Sequence, residues 1–102
     1  MSNYLGLDLG TSSLKALLIG DDQRVIASAS VPLSVERPQF GWSEQAPQSW
    51  IAACETALGE LSDTHGAELA AVAGIGLSGH MHGATLLGAD DAVLRPCILW
   101  ND

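Results

Sequence analysis

Apolar runs separated by short polar breaks lay out most of the chain. A run from Tyr4 to Leu9, interrupted by Asp8, predicts a buried strand with one carboxylate near its end. The small polar turn Gly10-Thr11-Ser12-Ser13 follows, and a second apolar run from Leu14 to Ile19 predicts the return strand. Gly20-Asp21-Asp22-Gln23 reads as another turn, leading into Val25 to Val31 as a third strand. Consecutive strands joined by short turns make an antiparallel meander. Pro32 and Pro38 then bracket an irregular stretch ending in Phe40-Gly41-Trp42-Ser43-Glu44-Gln45, in which Phe40 reads as a packing anchor.

The period changes at Pro47, a residue suited to the first position of a helix. Trp50, Ala53, Cys54, Ala57, Leu58 and Leu61 form one apolar stripe at helical spacing, with Glu55, Glu60 and Asp63 off it. The stripe is expected to cover one face of the sheet, with Cys54 as core and the helix ending at His65-Gly66. His65 itself reads as a dipole or surface residue. Ala70 to Leu77 is apolar throughout and predicts a central strand buried on both faces. Ala84 to Leu87, the turn Gly88-Ala89-Asp90-Asp91 and Val93-Leu94 predict a further hairpin. It echoes the earlier Gly20-Asp21-Asp22 turn, which reflects shared turn chemistry rather than a repeat.

Composition narrows the class. The 102 residues suffice for one small domain and not for two, and 47% hydrophobic with 16% charged residues marks a globular chain. A net charge of -8 argues against nucleic acid or an anionic membrane surface as partner. No apolar stretch approaches a membrane span. Met1-Ser2-Asn3 runs straight into the first strand without a secretory leader, so Cys54 and Cys97 are expected to be reduced thiols of a cytoplasmic protein.

Two constellations carry candidate chemistry. In the first, Gly10 has no Cβ to obstruct an anion approaching the turn, Thr11, Ser12 and Ser13 add hydroxyl donors, and Lys15 adds a positive charge. Asp8 would repel a bare phosphate, which points to Mg2+ or a metal-bound water between them. An ordinary hairpin with a polar turn is the plainer reading of Asp-Leu-Gly-Thr alone. The second is Ser78-Gly79-His80-Met81-His82-Gly83, which leaves the apolar strand where α/β proteins present ligand-binding groups. His80 and His82 are a poor metal pair without a further ligand. The run Gly74-x-Gly76-x-x-Gly79 is not read as a dinucleotide fingerprint, because it lies within a strand and no amphipathic helix follows. Its glycines are expected to let another backbone or a ligand come close.

The spacing Asp8-x-Gly10-Thr11-Ser12-x-x-Lys15 resembles the first phosphate motif of the actin–hexokinase–heat-shock ATPase superfamily, in particular the FGGY carbohydrate kinases. No Walker A pattern is present. Gly41-Trp42-Ser43-Glu44-Gln45 before the helix also resembles that family, where the segment lies near the sugar cleft. Gly79-His80-Met81-His82-Gly83 and Leu94-Arg95-Pro96-Cys97-Ile98-Leu99-Trp100-Asn101-Asp102 look like the xylulokinase branch, with His80 where that branch usually carries Gln. The likeness runs from Asp8 to Asp102. It implies an α/β fold, an actin-like (ribonuclease H-like) half-domain whose mixed sheet starts with the three-strand meander. The activity implied is ATP-dependent phosphorylation of D-xylulose to D-xylulose 5-phosphate with Mg2+, without nucleic-acid or membrane partners, a homodimer being open for the full-length enzyme.

By the same resemblance, Asp8 holds Mg2+ through water, and Gly10, Thr11, Ser12, Ser13 and Lys15 meet the β- and γ-phosphates. Met81 and His82 are the sugar-binding pair, and Trp100, Asn101 and Asp102 line the cleft near the sugar. The family's catalytic Asp and its adenosine motifs belong to later segments, so residues 1–102 are expected to be the front of the first domain, without a base of their own. Such a unit should leave a sheet face and an edge partly uncovered. Two alternatives stand beside this reading: an FGGY kinase for ribulose, fuculose, gluconate or glycerol, or a non-catalytic nucleotide- or sugar-binding module.

Overall fold

The meander forms as the apolar runs and their polar turns predict. In the computed structural model, which describes residues 2–79 and 85–99, β1 (Asn3–Leu9), β2 (Ser13–Ile19) and β3 (Val25–Pro32) pair antiparallel in sequence. β5 (Val72–Ser78) joins the other side of β1 in parallel, giving the order β3-β2-β1-β5 and so a mixed sheet. The parallel pair needs a long crossover. Helix α1 (Pro47–Ala70) supplies it, starting with Pro47 in its first turn.

Registers put Leu5 opposite Leu18, Leu7 opposite Ala16 and Leu9 opposite Leu14, so one face of the sheet is apolar. That face receives Ala53, Ala57 and Leu61 of α1, all buried, with Cys54 and Leu58 packed at their flanks. Small residues on both layers, Ala53 and Ala57 against Ala16 and Ala29, let the helix sit close to the sheet. Each large apolar side chain buried there contributes about 1.5–3 kcal/mol.

The helix is interrupted at His65-Gly66, where the stop signal lies, but it does not terminate there. His65 leaves helical geometry (φ -139°, ψ 47°), but the chain resumes its winding to Ala70. Leu69, one turn further, packs on the core, and the Asn3 side-chain amide donates to the Glu68 carbonyl at 2.8 Å. The local stop signal thus breaks the helix at His65, and these tertiary contacts hold the helical segment that follows it.

Three further expectations are corrected. The first strand, expected to be buried, is covered on one face only: Tyr4 and Asp8 are exposed on the face away from α1. β5 is an edge strand among the described residues, with Ile75 61% and Leu77 77% exposed. The helix lies over β3 and β2 and barely reaches β1, so Val72 meets the core but Ile75 and Leu77 stay bare. Phe40 anchors nothing; it is fully exposed beside Gly41, whose positive φ (85°) bends the loop outward.

A second, two-stranded ladder joins β4 (Glu44–Gln45) to β6 (Cys97–Ile98). The hairpin between them pairs Leu87 with Val93 and is closed by a 2.9 Å hydrogen bond from the Leu94 N–H to the Leu86 carbonyl. Its turn repeats the first one bond for bond. In each, the glycine N–H (Gly20, Gly88) donates to the carbonyl four residues on, an Asp side chain (Asp22, Asp90) accepts from that residue's N–H, and the intervening residue (Gln23, Asp91) has positive φ. Cys54 and Cys97 are free thiols.

Candidate functional site

The turn after β1 is closed by a 2.9 Å hydrogen bond from the Gly10 N–H to the Ser13 carbonyl. A Cβ on Gly10 would lie 3.1 Å from that same oxygen, so a larger residue would press on the closure. The two carbonyls at the top of the turn are both tied back. Thr11 accepts from the Gln45 side-chain amide at 2.6 Å, and Ser12 from the Leu33 N–H at 2.8 Å. Gln45 is completely buried, and the Trp50 indole N–H donates to its other end at 3.0 Å.

Strand register then builds a polar row across the face opposite α1. Ser30, Lys15, Asp8 and Ser78 are successive neighbours on β3, β2, β1 and β5. Opposed residues of this kind have Cβ atoms about 5 Å apart, so Lys15 is the cross-strand neighbour of Asp8. The Ser78 hydroxyl donates to Asp8 Oδ1 at 2.7 Å. Below the row, Gly6 and Gly76 keep the floor low, and the whole makes a depression of about 660 Å³ that includes Asp8, Lys15 and Ser78. Gly74 serves packing instead: a Cβ there would touch the Tyr4 ring at 3.5 Å. Gly76 and Gly79 have open space where a Cβ would stand.

Asp8, Gly10, Thr11, Ser12, Ser13 and Lys15 are thus gathered at one end of the β1–β2 hairpin. Met81, His82, Trp100, Asn101 and Asp102 lie outside the described residues. Their neighbours are fixed. Leu99, just before Trp100, donates its N–H to the Ser43 carbonyl at 3.1 Å, and Arg95 forms an ion pair with the buried carboxylate of Glu44. Among the described residues no three His, Cys, Asp or Glu side chains cluster to hold a metal. A lone carboxylate such as Asp8 suits a hard cation that keeps several waters, not a closed protein cage.

Comparison with known proteins settles the family. Residues 3–102 match the N-terminal domain of the FGGY family of carbohydrate kinases. The chain belongs to that family. This FGGY chain is 48% identical over 99 residues to the xylulose kinase of Escherichia coli K12, covering 97% of the chain but only 20% of that relative. Among solved structures, the xyloylose (xylulose) kinase of Brucella ovis superposes with a TM-score of 0.96 at 61% identity, over 98% of the chain and 21% of that structure. The xylulose kinase of Rhodospirillum rubrum gives 0.93 at 36% identity, over 98% and 20%. The chain therefore spans about a fifth of the length of these relatives. The α/β class and the actin-like kinase fold, with a mixed sheet led by the meander, agree with these neighbours.

Sequence reasoning did not place Ser78 beside Asp8, or Gln45 and Trp50 behind the Gly10–Ser13 turn. Ser78 stood in a glycine-rich run whose pattern drew attention to the glycines. Gln45 closed a family-like segment, Gly41-Trp42-Ser43-Glu44-Gln45, but only the folded chain brings its amide to Thr11.

Proposed function

We propose that these residues form the phosphate-binding front, and part of the sugar site, of a kinase that transfers the γ-phosphoryl group of ATP to D-xylulose, yielding D-xylulose 5-phosphate. The observation that carries the reading is the closed Gly10–Ser13 turn, tied back by its carbonyls, beside a cross-strand Asp8–Lys15 pair. The likeness to proteins named as xylulose kinases supplies the sugar.

Phosphoryl transfer is mostly positioning and charge neutralisation. Gly10 and the turn N–H groups receive the β- and γ-phosphates, and the Thr11, Ser12 and Ser13 hydroxyls and the Lys15 ammonium add donors to them. The donor set fits Mg2+ held through water on Asp8, with Ser78 fixing one carboxylate oxygen. When bound, the ion neutralises phosphate oxygens. Met81 offers an apolar contact to the sugar, His82 a polar one, and Trp100, Asn101 and Asp102 line its cleft. No residue of this chain is assigned the role of base; that group belongs to another part of the enzyme, whose N-terminal portion residues 1–102 represent. Cytoplasmic residence goes with this activity, and no described helix is long and apolar enough to cross a membrane.

The test is a chimera in which residues 1–102 replace the matching fifth of the E. coli relative, assayed for ADP release with D-xylulose, D-ribulose and glycerol. Release that requires D-xylulose supports the proposal. A folded chimera that prefers either other acceptor contradicts it.

A further inference from the structure

We propose that Gln45 is a positioning residue for the phosphate turn, aiming the Ser12 N–H outward by holding the Thr11 carbonyl inward. This rests on reading the Gly10–Ser13 turn as the phosphate site, and goes beyond it by assigning what sets the direction of its donors.

The argument starts from the planarity of the peptide bond. In a trans peptide the carbonyl of one residue and the N–H of the next point in opposite directions. Gln45 Nε2 donates to the Thr11 carbonyl at 2.6 Å from a completely buried position. The Ser12 N–H must then point away from the core, towards the exposed side where Ser12 lies. The following peptide is anchored by the same device, since the Ser12 carbonyl accepts from Leu33. Among the described residues neither Thr11 nor Ser12 gives its N–H to a backbone acceptor. The turn is therefore a pair of peptide units locked from behind, with donors left over in front.

Which end of the Gln45 amide faces Thr11 follows from Trp50. An indole N–H can only donate, so the atom it meets at 3.0 Å is Oε1, and Nε2 is left for the Thr11 carbonyl. The backbone of Gln45 is pinned as well, opposite Cys97 in the β4–β6 ladder. A buried amide held at both ends on a pinned backbone costs ordering and desolvation that a plain loop residue would not, and the atom it serves is a carbonyl of the turn.

The experiment uses the full 102-residue chain and Mg·tripolyphosphate as the probe, with affinity from calorimetry, turn amide shifts from 15N NMR, and thermal melting as the structural control. Gln45→Met removes both hydrogen bonds at similar shape, and Trp50→Phe removes the donor that orients the amide. The proposal expects Gln45→Met to weaken binding by about tenfold or more, as for loss of an aligned donor to a charged group. Trp50→Phe should weaken it less, and both should move the Ser12 amide signal with melting close to wild type. Should Gln45→Met melt early, Trp50→Phe decides by the same readouts. Wild-type affinity in folded variants overturns the positioning role. Absence of binding by the wild-type chain overturns the phosphate reading beneath it, and the proposal with it.

Discussion

Ser78 and Asp8 stand seventy residues apart in sequence and 2.7 Å apart in space, the hydroxyl of one donating to the carboxylate of the other. The parallel pairing of β5 with β1 makes that contact, so the crossover through α1 serves to orient a single carboxylate. Since Asp8 is exposed, the bond contributes little to stability and acts on direction.

Asp8→Asn keeps the hydrogen bond from Ser78 but removes the charge. ATP binding by the wild-type chain is expected to tighten when Mg2+ is added, and in the variant that tightening should be lost with melting unchanged. Paired titrations with and without Mg2+ check this; an unchanged Mg2+ dependence would remove Asp8 from the metal site.

Leu61 is 1% exposed at the centre of the helix–sheet layer. Leu61→Ala should cost about 2–5 kcal/mol. Against a total of about 5–15 kcal/mol for a whole domain, that loss should shift the urea midpoint strongly or leave the chain unfolded. A shift of less than about 1 kcal/mol would mean that the layer is looser than its burial indicates.

Gln23 and Asp91 hold the same positive-φ position in twin turns. Left-handed geometry costs a residue with a Cβ roughly 1–2 kcal/mol, less for Asp, whose short side chain bonds locally. Gln23→Gly should therefore raise the melting temperature, and by more than Asp91→Gly does. Calorimetry that ranks them the other way contradicts the strain argument.

The edge of β5 carries Ile75 and Leu77 into solvent, the kind of edge that recruits other chains. The 102-residue chain should show concentration-dependent mass by sedimentation, and Ile75→Lys with Leu77→Lys should reduce it. A monomer at all concentrations sinks this expectation.

How far the sequence was legible follows from what periodicity records. Apolar runs bounded by the short turns Gly10–Ser13 and Gly20–Gln23 specified the meander, because strand and turn chemistry are local, and the stripe from Trp50 to Leu61 specified the helix in the same way. The apolar run Ala70 to Leu77 recorded only that those residues prefer burial, not what covers them, so β5 read as central though α1 leaves Ile75 and Leu77 bare. β4 and β6 are two residues each, too short for any period, and they meet only after the chain has folded. The turn residues Asp8 to Lys15 were legible because their spacing is itself the motif. Gln45 and Ser78 were not, since each acts through a contact made across distant strands.

The most direct measurement is a 15N NMR titration of the chain with Mg·ATP. The account predicts the largest amide shifts at Thr11, Ser12 and Ser13, with Lys15 and Ser78 following. Shifts confined to Gly74–Gly79, or none at the turn at saturating nucleotide, would contradict it.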